Sequence, residues 1–375
     1  MSTSLRDEQS APRTHAVAHS AVLIGSPRAR RDAAARAALE WAGITVAEVV
    51  GVDQLDADAP LGSEWRARGI GIAVAAGGDG TIGSVATQIA GSEVALGILP
   101  LGTSNDTARS LGLPLDLAAA AAAIASGVPT IVDAGRVLAI SSSAAADARG
   151  TYFLHALTLG MNVEFARLAT DLVRRQRWGR LNYAASALEA LTRFEPLATT
   201  VTLEGVARRS ALAQAPDAGG MVTLEQHLMQ IAAVNLPIFG GGLNLELRGT
   251  ALHDQLLDVV MIEAPSLEKV REVAQGWFEA RRQLGGRGRA RNVLASADAA
   301  SASLPVDIAG FSIPGVTRYQ ARAMTVRTPS PVDVTLDGEI RARTPLRVEA
   351  APGIIRVLLP ASTRPASNVR ANMVR

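Results

Sequence analysis

Cysteine is missing from this chain of 375 residues, which excludes disulfide bonds and thiolate catalysis and is consistent with a reducing compartment. Lysine is nearly missing as well. Lys269 is the only one, so arginine carries almost all of the positive charge. A phosphate site of the G-x-x-x-x-G-K-[ST] type is therefore excluded. The five histidines include no H-E-x-x-H or comparable spacing, which argues against a histidine-ligated metal.

Long hydrophobic runs are also missing, although 48% of the residues are hydrophobic. A membrane-spanning helix needs about 20 consecutive apolar residues, and no stretch approaches that length. The richest stretch, residues 117–126, is mostly alanine and predicts a surface helix. Residues 1–16 lack the charged-then-apolar order of a signal peptide, and we expect a disordered lead-in there. These features predict a cytoplasmic protein with no transmembrane segment.

A short apolar strand that runs into a glycine-aspartate loop is the most informative feature that is present. Residues 70–76 read IGIAVAA, and residues 77–81 read GGDGT. Glycines let the main chain approach a ligand closely, and the start of the following helix attracts phosphate through unpaired N–H groups and its dipole. Asp79 is placed to meet a metal ion or a phosphate-bound water. The alternative is a plain strand-to-helix turn, for which two glycines would suffice.

Strand and helix patterns alternate around this loop, between residues 17 and 129. A second glycine loop, residues 100–106 (PLGTSND), follows the next apolar strand and opens another helical run. Strands that alternate with helices predict a doubly wound parallel sheet, which binds its ligands at the carboxyl ends of its strands. Both glycine loops fall at such ends, and this agreement favours a ligand site more than either loop alone.

Residues 130–360 have a different sequence pattern, with many short strand-like runs between glycines and prolines. The pattern predicts an antiparallel β-sandwich whose C-terminal end is free to pack back on the first domain, with a tail at residues 361–375. Three helical stretches are expected within it, at residues 164–177, 181–193 and 266–284. Three flexible inserts are expected at residues 141–150, 213–220 and 285–303.

Taken together, the motifs resemble one family. Residues 76–114 look like the catalytic domain of the diacylglycerol kinase family, especially its soluble bacterial lipid kinases, which are related to sphingosine and ceramide kinases. The segments FGGG at 239–242, DQLLDV at 254–259 and LDGE at 336–339 follow in that family's order, and the resemblance covers residues 17–360. GGDG alone also occurs in NAD kinases and phosphofructokinases, but its combination with P-L-G-T-x-N-D is specific.

The resemblance implies an ATP- and magnesium-dependent lipid kinase. It places the nucleotide in the cleft between a Rossmann-like α/β domain and a β-sandwich domain. The first loop would wrap the phosphates with Gly77, Gly78, Asp79, Gly80, Thr81, Ile82 and Gly83. The second loop would meet the nucleotide with Gly102, Thr103, Asn105 and Asp106. Ser26 stands where the family has asparagine, and its hydroxyl would bond a phosphate or the adenine.

The same resemblance makes Asp337 and Glu339 the acidic machinery that deprotonates the lipid hydroxyl, with Asp79 at the phosphates. Phosphoryl transfer needs a carboxylate near the attacking hydroxyl. The spacing does not choose between Asp337 and Glu339, and a lone D-G-E is otherwise typical of a hairpin turn.

Asp254, with the main-chain carbonyls of Ala251 and Leu256, matches a structural magnesium site of some bacterial members. Several positions depart from the family pattern, which has Asn-Glu, asparagine and glycine in the places of Gly83-Ser84, His155 and Gln255.

A lipid acceptor implies work at a membrane surface, peripheral to its inner face. Arginine-rich stretches at 174–180 and 281–291 fit either a solvated surface or contact with anionic lipid. Without interleaved aromatics or a known motif, they do not predict nucleic-acid binding. The oligomeric state stays open, a homodimer included. The alternative functions are NAD kinase and a non-catalytic member that holds nucleotide or lipid without turnover.

Overall fold

The structure is a computed structural model that describes residues 20–25, 29–140, 150–161, 163, 195–208, 217–239, 245–247, 249–263, 307–308, 311–312 and 315–361. Several predictions fall outside the described residues. These are the lead-in, Ser26, all three predicted helices of the second domain, both arginine-rich stretches, and most of the inserts and of the tail.

The α-helices of the described part are α1 (Ala29–Trp41), α2 (Gly62–Ala67), α3 (Asp79–Ile89), α4 (Asp106–Ser110) and α5 (Leu117–Ala125). The strands of the first half are β1 (Ser20–Gly25), β2 (Thr45–Gly51), β3 (Ile72–Gly77), β4 (Ala95–Pro100), β5 (Val128–Ala139), β6 (Thr151–Phe153), β7 (Ala156–Gly160), β8 (Leu197–Arg208) and β9 (Asp217–Val234). Those that follow are β10 (Ile238–Phe239), β11 (Leu245–Glu246), β12 (Leu257–Glu263), β13 (Asp307–Ile308), β14 (Phe311–Ser312), β15 (Val316–Ala321), β16 (Ala323–Arg327), β17 (Asp333–Leu336), β18 (Glu339–Arg343) and β19 (Leu346–Leu359).

A parallel sheet in the order β2-β1-β3-β4 forms the first domain. Every residue of β3 is buried because helices cover both faces of the sheet. Ile72 and Val74 pack on the side of α1 and α5, whereas Ala73 and Ala75 pack on the side of α3. This two-sided burial explains the unbroken apolar run in the sequence. The predicted doubly wound sheet is confirmed, with both glycine loops at its carboxyl edge.

The second domain is an antiparallel β-sandwich that joins the first sheet through β19. Its strands follow the order β18-β17-β7-β9-β8-β16-β19, and β12 pairs with β9 and β15. The first part of β19 pairs with β16, and its last part pairs with β4 through Arg356 and Val357. One hydrogen-bonded sheet therefore runs from β2 to β18, and it fixes the hairpin β17–β18 relative to the glycine loops.

Several elements differ from the sequence-based prediction. The sequence predicts a helix from Ile82 to Ala90, but α3 already begins at Asp79, so the glycine loop forms the first turn of the helix. Strand β9 begins at Asp217, inside the stretch that we predicted as a flexible insert. Helix α5 forms as predicted but is not merely a surface helix, because Ala121 and Ile124 are buried against the first sheet. None of the helices in the described ranges is long and apolar enough to cross a membrane.

Candidate active site

The two glycine loops touch each other because β3 and β4 are neighbours in the sheet. The N–H of Leu101 donates to the carbonyl of Gly77 at 2.9 Å. A Cβ atom on Gly78 would lie 3.2 Å from the Cα of Gly102, and one on Gly102 would lie 2.8 Å from Oδ1 of Asn105. Gly78 has a φ of −92°, so close approach, and not a left-handed conformation, is what requires glycine there.

Asp79 joins these loops through its carboxylate. Its Oδ1 accepts a hydrogen bond from the N–H of Thr107 at 2.8 Å, and its Oδ2 accepts one from the N–H of Asp106 at 3.3 Å. These are among the N–H groups that a helix leaves unpaired at its start. Asp79 therefore caps α4 from another element, while it begins α3 itself.

Asn105 shapes the second loop. It has a φ of 52°, a left-handed conformation that asparagine tolerates better than most residues. Its Oδ1 accepts from the N–H of Gly102 at 2.9 Å, and its Nδ2 donates to the Gly102 carbonyl at 3.2 Å. Thr103 is exposed at the tip of the loop, whereas Asp106 is buried. In the first loop Ile82 is buried in the core, so only its main chain is available to a ligand.

The Asp-Gly-Glu triplet is a hairpin turn. Asp337 and Gly338 have φ values of 49° and 86°, the signature of a type I′ turn between β17 and β18. The same turn also lies against the first glycine loop and the start of α3. The triplet therefore forms a hairpin turn, and its carboxylates also lie close to the first glycine loop, as a catalytic role requires.

Asp337 is buried and strongly bound. Its carboxylate accepts hydrogen bonds from the N–H groups of Leu154 at 3.0 Å, His155 at 2.9 Å and Ala156 at 3.0 Å. Burial raises the pKa of Asp337, while His155 and these three donors oppose that rise. A Cβ atom on Gly83 would lie 3.0 Å from the Asp337 Cγ, so α3 packs directly on this carboxyl group. Asp337 holds the turn between β6 and β7 against the hairpin.

Glu339 lies at the first glycine loop with its side chain 52% exposed. A Cβ atom on Gly80 would lie 2.6 Å from the Glu339 Cδ and 2.8 Å from its Cγ. The absence of a side chain at Gly80 is therefore what admits this carboxylate. Of the two candidate bases, Glu339 is the one that a substrate can reach.

Arg341 belongs to the same site, although the sequence reasoning missed it. Its Nη2 donates to the carbonyl of Gly80 at 3.0 Å, to the hydroxyl of Ser84 and to the Glu339 carboxylate. Arg341 lies where the register of β18 with β17 shifts, and its contact with Glu339 puts both side chains on one side of the strand. The signal in the sequence was the charged residues of EIRAR at 339–343. It becomes informative only when the structure shows that this strand reaches the glycine loop.

Comparison with known proteins decides the family. The Diacylglycerol kinase catalytic domain matches residues 25–137, and the YegS C-terminal NAD kinase beta sandwich-like domain matches residues 156–310. A probable lipid kinase YegS-like of Pseudomonas savastanoi is 30% identical over 295 residues, which cover 77% of this chain and 76% of that protein. The chain belongs to the diacylglycerol kinase and YegS-like lipid kinase family. At this level it is a phosphotransferase with an alcohol acceptor.

Further similarities extend along most of the lipid kinase chain. It is 27% identical to the diacylglycerol kinase of Mycobacterium tuberculosis over 329 residues, 86% of this chain and 88% of that one. The crystal structure of a putative diacylglycerol kinase from Bacillus anthracis str. Sterne has a TM-score of 0.57 at 17% identity. It covers 92% of this chain and 98% of that chain, and it supports the fold alone.

The predicted structural magnesium site of this lipid kinase has one carboxylate, that of Asp254, and this carboxylate already has hydrogen-bond donors. The Asp254 carboxylate accepts main-chain N–H groups of Leu256, at 3.1 Å, and of Ala251. Burial and the nearby carboxylates of Asp258 and Asp133 raise the pKa of Asp254 to about 6. In the described ranges, no group of three or more carboxylates, histidines or cysteines is arranged to hold a metal ion. Asp254 is the one carboxylate of the predicted set, which otherwise consists of the main-chain carbonyls of Ala251 and Leu256, and magnesium binding there stays a prediction.

Those two neighbouring carboxylates already have partners. Asp133 accepts from the N–H groups of Gly353 at 2.7 Å and Gln255 at 2.8 Å. Asp258 accepts from Arg318 Nε at 2.7 Å.

The departures from the family pattern are accommodated locally. The Asp337 carboxyl group lies where a side chain at Gly83 would be, and Ser84 receives a hydrogen bond from Arg341. His155 Nε2 is 2.7 Å from the carbonyl of Ile238. Gln255 has a φ of 62°, a conformation that favours the glycine found there in the family.

Proposed function

We propose that this lipid kinase transfers the γ-phosphate of ATP to the hydroxyl group of diacylglycerol or of a related glycerolipid or sphingoid lipid. The observation that carries the proposal is the position of the Glu339 carboxylate against Gly80. An exposed carboxylate at the start of a glycine-rich helix turn is what a base for phosphoryl transfer requires.

The loops supply the nucleotide site in this proposal. The main-chain N–H groups of the first turn of α3 face the phosphates, with the helix dipole favouring their negative charge. Thr103, exposed on the touching second loop, contacts the nucleotide. Asp79 keeps the two loops in register through α4. Magnesium enters bound to ATP as part of the substrate and offsets charge on its phosphates.

The transfer step then follows from the position of Glu339. The lipid hydroxyl gives its proton to the Glu339 carboxylate while its oxygen forms a bond to the γ-phosphorus. The bond from that phosphorus to the bridging oxygen of ADP breaks, and ADP leaves with the electron pair. Glu339 afterwards releases the proton to water. Asp337 stays in the hairpin turn and positions Glu339 without taking part in the proton transfer.

The acceptor implies where the protein works. A diacylglycerol hydroxyl is presented at the surface of a bilayer, so we propose that the protein acts peripherally at the cytoplasmic face of the membrane. Family membership supports a lipid acceptor. That this lipid is diacylglycerol is our proposal.

An acceptor comparison tests this function. Purified protein is incubated with magnesium and ATP, and ADP release is measured with diacylglycerol vesicles, sphingosine vesicles, NAD or no acceptor. We expect ADP release with diacylglycerol, matched by phosphatidic acid in the lipid extract by mass spectrometry. The Glu339→Gln variant serves as the inactive control.

Two results would contradict the proposal. Formation of NADP with NAD, and no product with lipid, would assign the protein to NAD kinase activity. ATP binding by calorimetry without turnover on any lipid would leave a non-catalytic binding protein. Phosphorylation of sphingosine in place of diacylglycerol would keep the lipid kinase and change its substrate.

A further inference from the structure

The edge strand β18 presents two opposite charges to the first glycine loop, residues 77–83, which is the phosphate loop of the proposed function. Glu339 and Arg341 are on one face of this strand, and their side chains form an ion pair with Arg341 Nε 3.1 Å from Glu339 Oε2. The other arginine of this strand, Arg343, lies beyond the register shift between β17 and β18, pairs with Asp333 at 2.8 Å and is 67% exposed. Arg341, by contrast, is only 20% exposed because it lies against α3.

Arg341 makes its contacts with α3 through two groups in the first two turns of the helix. It donates to the Gly80 carbonyl at 3.0 Å and to the Ser84 hydroxyl, which itself donates to the same carbonyl at 3.1 Å. Position 80 has no side chain and position 84 has a short one, so the guanidinium reaches the main chain of the loop. The contact therefore joins a carboxylate of the second domain to the phosphate loop of the first.

A glutamate on an edge strand needs such a partner to serve as a base. Glu339 has several rotatable bonds, and its side chain is about half exposed. An unrestrained carboxylate would occupy many positions, and a displacement of about 1 Å is enough to lower a rate by roughly 100-fold. A charge-assisted hydrogen bond from a planar guanidinium restricts both its distance and its direction.

We propose that Arg341 is a positioning residue that holds the Glu339 carboxylate at the phosphate loop through its contacts with Gly80 and Ser84. This inference rests on the proposed function for its kinetic consequence. Arg341 acts through Glu339, so its loss lowers kcat and leaves ATP binding nearly unchanged.

Single variants of the two arginines of β18 test the proposal. We expect Arg341→Met to lower kcat with diacylglycerol by about 10- to 100-fold, with the KM for ATP changed less than about threefold. Arg341→Lys keeps the charge but loses the planar fork, and we expect it to recover part of the loss. Arg343→Met is the matched control, and we expect wild-type kinetics from it. Wild-type kcat in Arg341→Met would overturn the proposal.

A double variant separates positioning from an independent role. If Arg341 acts only through Glu339, then adding Arg341→Met to Glu339→Gln should not lower kcat further. Multiplied losses in the double variant would overturn the positioning role, since they would mean that Arg341 contributes by a separate route.

Failure of the proposed function is recognised separately. If the wild-type protein transfers phosphate to no acceptor, urea unfolding still tests the contact between Glu339 and Arg341. The midpoints to compare are those of the wild type, Arg341→Met, Glu339→Gln and the double variant. Shifts that are smaller in the double variant than the sum of the single shifts support the Glu339–Arg341 contact, and additive shifts overturn it.

Discussion

The Asp79 carboxylate, in the first glycine loop, accepts a hydrogen bond at 2.8 Å from the main-chain N–H of Thr107, which follows the second loop. The N-cap residue of α4, Asn105, is left-handed and makes no side-chain cap of its own. Asp79 therefore supplies the cap that α4 lacks, and the two loops become one unit. An aspartate expected to meet only metal or phosphate has a second, structural task.

Replacing Asp79 by asparagine should damage both tasks. The amide still accepts from Thr107, but its NH₂ group faces the N–H of Asp106, so the second loop shifts. We expect kcat/KM for ATP to fall by about 100-fold. We expect the free energy of unfolding to fall by about 1 kcal/mol. Steady-state kinetics and urea unfolding measure the two effects.

Asp116 provides the control for this variant. It caps α5 by accepting from the N–H of Ala119 at 3.0 Å, away from the glycine loops. Asp116→Ala removes this cap and should lower stability to a similar extent without changing kcat/KM. Near-normal kinetics in Asp79→Asn would mean that Asp79 is only a turn residue.

Gly80→Ala should separate stability from activity. Alanine is better than glycine inside a helix by about 1 kcal/mol, so the variant should be as stable as the wild type or more stable. Its Cβ would lie 2.6 Å from the Glu339 Cδ and would push that carboxylate away. We expect kcat to fall by at least about 10-fold, measured beside the thermal unfolding midpoint.

Gly83→Ala gives the contrasting result. Its Cβ meets the Asp337 carboxyl group, which cannot move without losing three hydrogen bonds. We expect Gly83→Ala to lower the unfolding midpoint. Equal stability loss in both glycine variants would contradict the distinction between a movable Glu339 and a fixed Asp337.

The two carboxylates of the triplet should respond differently to amide substitution. Glu339→Gln removes the proposed base and should lower kcat by about 100- to 10,000-fold, with a loss of unfolding free energy of less than about 1 kcal/mol. Asp337→Asn places an NH₂ group against main-chain donors and should lower the free energy of unfolding by about 2 kcal/mol. Kinetics and urea unfolding on both variants decide this. A stable Asp337→Asn with a 100-fold lower kcat than Glu339→Gln would reverse the assignment.

Asp254 should make stability depend on pH. Burial raises its folded-state pKa to about 6, whereas an aspartate in an unfolded chain titrates near 3.9. Between these values the folded protein binds more protons than the unfolded chain. Stability from this group therefore falls as the pH rises from about 4 to about 6, by roughly 1 to 2 kcal/mol after allowance for its partial exposure.

Asp254→Asn removes that dependence, so the difference in unfolding free energy between variant and wild type should grow in favour of the variant over this range. Chemical unfolding at several pH values measures it. Added magnesium provides a second reading, since an ion bound to Asp254 would stabilise the wild type and not the variant. A constant difference across the range would contradict the raised pKa.

Local chemistry in the sequence was enough to place the glycine loops and to offer the hairpin as the alternative for the acidic triplet. The apolar run before GGDGT is continuous because β3 is buried on both faces, and such runs can be read without a structure. The Asp337-Gly338 pair is typical of a two-residue hairpin and forms one. By contrast, the sequence predicts one strand over residues 152–159, whereas the structure has a break between β6 and β7, because the N–H groups of Leu154 and His155 bond to Asp337, far along the chain.

The sequence by itself determined that two glycine loops end neighbouring parallel strands and that an acidic D-G-E triplet follows in the second domain. Only the tertiary structure decided which carboxylate of the hairpin is accessible, because Asp337 and Glu339 differ in their partners and not in their chemistry. It also decided that Arg341 reaches Gly80, 261 positions away in the chain. Such contacts depend on how β19 joins the two sheets, and no short stretch of sequence encodes the resulting position of β18 relative to the glycine loop.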